Sequence, residues 1–115
     1  MAEDAASQMK ARLRSDLRVA IKKRLTVEVK VLRTLVAALD NAEAPPVPAA
    51  QQAAAHLCHG SAEVERLLLD GAQVRDILLT ELHERDGVAK DLERRGEIAR
   101  AEALRAEVLL IRRYV

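Results

Sequence analysis

The chain contains no phenylalanine and no tryptophan, and its single aromatic residue is Tyr114. Its core must therefore be assembled from Ala, Leu, Val and Ile. That argues against a β-sheet, where aromatic and β-branched side chains are favoured. It also argues against sequence-specific reading of single-stranded bases, which relies on ring stacking. Cysteine occurs once, at Cys58, which excludes an internal disulfide and fits a reducing compartment. Gly60, Gly71, Gly87 and Gly96 are the only glycines, too sparse for a phosphate-cradling loop, and neither a Walker nor a dinucleotide pattern is present. No run of about 18 apolar residues occurs, and no charged segment leads into an apolar one, so neither a membrane span nor a secretory signal is expected. A cytoplasmic protein without membrane attachment follows. The net charge of +1 supplies no global field toward nucleic acid or membrane.

What is present is Ala, Glu, Leu and Arg at helical spacing, in a chain of 115 residues that is 50% hydrophobic. That length and composition fit one domain, and the composition marks an all-α helical bundle. Met9, Leu13, Leu17, Ala20, Ile21 and Leu25 recur at three- and four-residue steps, which predicts an amphipathic helix beginning near Glu3 to Ala6. The chain continues as LTVEVKVLRTLVAALDN. VEVKV alternates like a strand, but the stripe Val31, Leu32, Leu35, Val36 and Leu39 is helical and no turn signal intervenes. Thr26 is the candidate N-cap between the first and second helices, and one long bent helix is the alternative. The second helix is apolar on most sides and is expected at the centre of the bundle.

Pro45, Pro46 and Pro48 stop that helix and open an Ala-rich linker over 42–60. Ser61 to Leu69 reads either as a short helix capped by Ser61 or as an extended arm. After Asp70 and Gly71 a long helical pattern begins (Val74, Ile77, Leu78, Leu82, Val88, Ala89, Leu92), with acid-first pairs Glu81/Arg85, Asp86/Lys90 and Asp91/Arg95 four residues apart. Gly87 interrupts it, and Arg94, Arg95 and Gly96 close it with cations and a glycine at the negative helix end. The last helix starts at Glu97 and carries Ile98, Ala101, Leu104, Val108, Ile111 and Val115 at near-heptad spacing. Gly96 is too short a joint for anything but an antiparallel turn. The expected architecture is a single domain, 1–115, of two antiparallel helical hairpins, about 5–41 and about 61–115, joined by the 42–60 linker.

Chemistry is concentrated in one feature, a basic ridge. Lys10, Arg14, Arg18 and Lys22 stand four apart on the first helix, with Lys23, Arg24, Lys30 and Arg33 nearby. Between residues 8 and 33 nine basic residues face only Asp16 and Glu28. Such a row matches phosphates or an acidic partner, and a solvated helix face is the competing reading. His56, Cys58 and His59 form the one cluster with metal-ligand chemistry, but a structural zinc needs four ligands and no fourth stands at a partner spacing. Cys58 lacks an orienting Asn or Asp for thiol catalysis. The carboxylates are matched by cations one turn away. No catalytic, cofactor-binding or metal site is expected.

Two stretches carry a family resemblance. In the first, Leu32, Arg33, Leu35, Ala37, Ala38, Asn41, Ala42 and Glu43 match the ending L-R-x-L-x-A-A-I-x-N-A-E. In the second, Arg85, Gly96, Ala101, Leu104, Arg105, Glu107 and Tyr114 fall on a later hairpin pattern. In order and spacing the chain resembles the N-terminal helical part of the YqeY-like (GatB/YqeY) family. The resemblance implies an all-α module related to the tail domain of the tRNA-dependent amidotransferase B subunit, a tail that contacts tRNA while the chemistry resides elsewhere. Leu25, Glu28 and Lys30 replace the polar, basic and Ser-like residues of the family's pattern in the first stretch. The chain also stops at Val115, where family members continue into a second, smaller helical subdomain. Three functions follow as expectations. The first is a non-catalytic accessory module binding tRNA or another structured RNA through Lys10, Arg14, Arg18, Lys22, Lys30 and Arg33. The second is a helical protein-interaction module or homodimer. The third is the carbon–nitrogen ligase activity, with glutamine as amido donor, that the family label carries; nothing in this sequence supplies its nucleotide site or glutaminase nucleophile.

Overall fold

Helices form wherever apolar residues recur with a period near 3.6, and the computed structural model, which describes residues 4–45 and 66–115, contains four of them among those residues. They are α1 (Ala5–Lys22), α2 (Thr26–Glu43), α3 (Gly71–Arg94) and α4 (Ile98–Arg112). Among the described residues there is no strand, so the VEVKV alternation yields to the helical stripe that follows it. α1 pairs with α2 and α3 with α4, giving the two antiparallel hairpins expected. α2 and α3 each touch all three other helices, so the centre expected of α2 alone is shared between them.

The caps explain where each helix begins. Asp4 caps α1, its carboxylate accepting from the Ser7 N–H at 2.7 Å. Asp70 and Gln73 form a reciprocal capping box at α3, with Asp70 N–H donating to Gln73 Oε1 at 2.9 Å and Gln73 N–H to Asp70 Oδ1 at 2.8 Å. Residues 66–70 are non-helical, and Leu67 N–H donates to the Glu43 carbonyl at 2.8 Å, pinning this arm to the end of α2. α2 itself runs through Ala42 and Glu43, into the expected linker. Positions 46–60 lie outside the described residues, as do Ser61 and the His56, Cys58, His59 cluster.

Both hairpins turn by the same device. At α3 the Gly96 N–H donates to Glu93 O and the Glu97 N–H to Leu92 O, with Gly96 at φ +80°. At α1 the Arg24 N–H donates to Ile21 O and the Leu25 N–H to Ala20 O, with Arg24 at φ +56°. Helices one and two are therefore separate, and Leu25, not Thr26, occupies the N-cap position of α2, without a side-chain cap. Thr26 is already helical because the turn closes one residue earlier than its side chain suggests. An L-residue in the left-handed region costs about 1–2 kcal/mol, which glycine avoids. Arg24→Gly is expected to raise stability by about 0.5–1 kcal/mol and Gly96→Ala to lower it by about 1 kcal/mol, measured by urea unfolding.

The core is aliphatic. Leu13, Val31, Leu35, Leu39, Leu78 and Ile111 are fully buried, and Tyr114 closes one end. Ala101, Val108 and Ile111 of the near-heptad seam are buried inside this bundle, so the seam is used within the chain. A charged cluster binds three helices: Arg85 of α3 donates to Glu81 at 2.8 Å and to Glu107 of α4 at 3.0 Å, and Lys30 of α2 stands 3.9 Å from Glu107. Asp86 pairs with Lys90 as expected, whereas Asp91 takes Arg94, three residues on, in place of Arg95. Among the described residues no helix is long and apolar enough to cross a membrane.

Candidate functional site

The basic ridge divides in the folded chain. Lys10 is 2% exposed, its ammonium 2.9 Å from Asp40 Oδ1 and paired with Glu43, which also accepts from Arg66 at 3.4 Å. It is thus a core residue tying α1 to the end of α2 and to the returning arm. Arg14, Arg18 and Lys22 are exposed, and among the described residues none has a carboxylate partner. The reason lies in helix geometry. A four-residue step overshoots one turn by about 40°, so a row that starts at the edge of the core winds steadily into solvent. Spacing alone treats the four positions as equivalent, and burial separates them.

α2 contributes unequally. The antiparallel register, set by Lys10 against Asp40 and by the turn after Lys22, brings the exposed Arg33 to the level of Ser15 to Leu17, between Arg14 and Arg18 along the axis. Lys30 turns instead toward α4 and Glu107. The residues available for an anionic ligand are therefore Arg14, Arg18 and Lys22 in one row, with Arg33 beside it. Successive cations in the row are about 6 Å apart along the helix axis.

The sequence reading missed a second constellation. Tyr114 donates its hydroxyl to Asp16 Oδ2 at 2.6 Å, and the Arg12 guanidinium lies 4.6 Å from the centre of its ring while donating to the Arg113 carbonyl at 3.0 Å. Burial, then the hydrogen bond to anionic Asp16, pushes the Tyr114 phenol well above its usual value of 10.0. These contacts join residues about a hundred positions apart, and no local pattern announces them. The uniqueness of the tyrosine is the one signal that could have drawn attention to it. Among the described residues no group of three His, Cys, Asp or Glu side chains is placed to hold a metal ion. Residues matching the family pattern have structural duties here: Glu43 answers Lys10, Arg85 answers Glu107, and Gly96 makes the turn. Comparison of the chain with protein-family models, with curated proteins and with solved structures finds no match.

Proposed function

We propose that this protein is a non-catalytic, cytoplasmic accessory module that binds tRNA or another structured RNA through Arg14, Arg18, Lys22 and Arg33. The observation that carries the reading is the exposed row on α1, whose cations are unanswered by carboxylates among the described residues. Lys23, Arg24, Arg75, Arg95 and Arg112 likewise lack a carboxylate partner among the described residues, so what sets this row apart is its regular four-residue spacing along one helix. Its guanidinium groups suit phosphate oxygens, and its lack of aromatic neighbours suits backbone and shape recognition over base stacking. The resemblance to the YqeY-like family supports the same reading and links it to amidotransferase-type systems, in which a helical tail holds tRNA. Lys10, buried against Asp40 and Glu43, falls out of the proposed interface, and the exposed Lys30 lies 3.9 Å from Glu107 on the α4 side of α2, away from the row.

Titration of labelled tRNA at two salt concentrations tests the proposal. Neutralising three or four phosphates should weaken binding about 40- to 150-fold between 50 and 200 mM monovalent salt. Replacing both Arg14 and Arg18 with Glu should remove most of the affinity and flatten the salt dependence. Affinity that survives this double reversal, or no binding at low salt, sinks the idea.

A further inference from the structure

α1 and α4 do not pack on one another; each lies against α2 and α3. A hollow of about 340 Å³ lies between α1 and the end of α4, and a second of about 570 Å³ lies beside it between the start of α2 and α4. They share Leu25, Glu28, Leu110 and Arg113 and together form one groove along α4. Its walls carry apolar side chains that the bundle leaves open: Val19 and Val27 are each 48% exposed, Leu25 40% and Leu109 66%. Val19 stands about 140° round α1 from Arg14 and about 100° from Arg18, but only about 60° from Lys22, so this face adjoins the RNA ridge at its Lys22 end.

The charges around the groove are lopsided. Four cations line it, Arg12, Lys23, Arg24 and Arg113, against two carboxylates, Asp16, which accepts from Tyr114, and Glu28, which faces Arg113 at 3.8 Å. Lys23 and Arg24, on the rim, have no carboxylate partner among the described residues. Arg24 stands there at a backbone cost that glycine would not incur. The groove carries more cations than carboxylates, a surplus that an acidic partner complements better than a second copy bearing the same surplus. An apolar channel walled by three helices and rimmed by unanswered cations fits an amphipathic helix with acidic flanks. We propose that the groove between α4 and the joined ends of α1 and α2 docks an acidic amphipathic helix of another protein.

The test uses two synthetic helical peptides without aromatic residues, each with a leucine stripe at three- and four-residue steps, one flanked by Glu and the other by Lys. The Glu peptide should bind the full chain and shift the backbone amide resonances of Val19, Leu25, Val27 and Leu109, and the Lys peptide should not. Leu109→Ser should weaken binding about tenfold, as should Lys23→Gln combined with Arg24→Gly, which also reduces the salt dependence. Neither change threatens the fold, since Leu109 is open to solvent and the turn prefers glycine. Leu68→Ser, on an equally open leucine outside the groove, should leave affinity unchanged. The proposal is overturned if the Glu peptide fails to bind at millimolar concentration, if both peptides bind alike, or if the shifts map elsewhere. It is also overturned if sedimentation shows a dimer that Leu109→Ser dissolves, which assigns the groove to a second copy. Displacement of the peptide by tRNA, with tRNA affinity lost in the same variants, would assign it to nucleic acid.

Discussion

Lys10→Met is expected to destabilise the protein by about 3 kcal/mol, and adding Glu43→Met should recover most of that loss. The ammonium of Lys10 and the carboxylate of Glu43 are both almost completely removed from water. Methionine keeps most of the packing of the lysine stem, so the first substitution isolates the charge. It leaves Glu43 buried with only the exposed Arg66 at 3.4 Å. Breaking a buried pair costs about 3–5 kcal/mol, and the low end applies because Arg66 remains. Removing both charges relieves the desolvation of each, and the double variant should fall within about 1 kcal/mol of the parent. Urea unfolding read by circular dichroism measures all three chains, with unchanged slopes confirming that the midpoints report stability. A Lys10→Met protein as stable as the parent, or a double variant whose cost is the sum of the singles, would contradict the pairing.

Tyr114 should ionise only well above pH 10 in the folded protein, and stability should fall as pH rises past that point. With one tyrosine and no tryptophan in the chain, tyrosinate absorbance reports a single group. Folding places the phenol out of water and against Asp16, and both disfavour the phenolate. The sign follows from proton binding. Between the unfolded value, about 10, and the higher folded value, the native state holds a proton that the unfolded state releases. The stabilisation is complete below about pH 10 and is lost progressively as pH climbs toward the folded value. In concentrated urea the titration should return to about 10. Asp16→Asn should lower the folded midpoint without bringing it to the unfolded value, since burial acts alongside the carboxylate. A folded titration coincident with that in urea would refute the Tyr114–Asp16 contact.

The two turns show why one part of this fold is easier to read than another. At the second, Arg94, Arg95 and Gly96 spell out a helix end, because glycine is the residue that adopts a positive φ without cost. At the first, an identical hydrogen-bond pattern is built on Arg24, so the sequence carries no turn signal and a single bent helix stays in contention. The Asp70 and Gln73 capping box was legible in principle as an acid followed three residues later by glutamine, immediately before an apolar run.

Periodicity and composition by themselves determined the helical segments and, through Gly96, the second hairpin, because the period of an apolar stripe and a glycine turn are local properties of the chain. They also determined that a basic row lies on α1. The Arg24 turn that makes the first hairpin was settled by the structure. Only the tertiary structure decided which members of that row meet solvent. Lys10 is drawn into the core by Asp40 and Glu43 from another helix, while Arg14, Arg18 and Lys22 wind away from it. The groove along α4 and the contact of Tyr114 with Asp16 belong to the same class. They depend on how separate helices are set against each other, and no spacing along one helix encodes that distance.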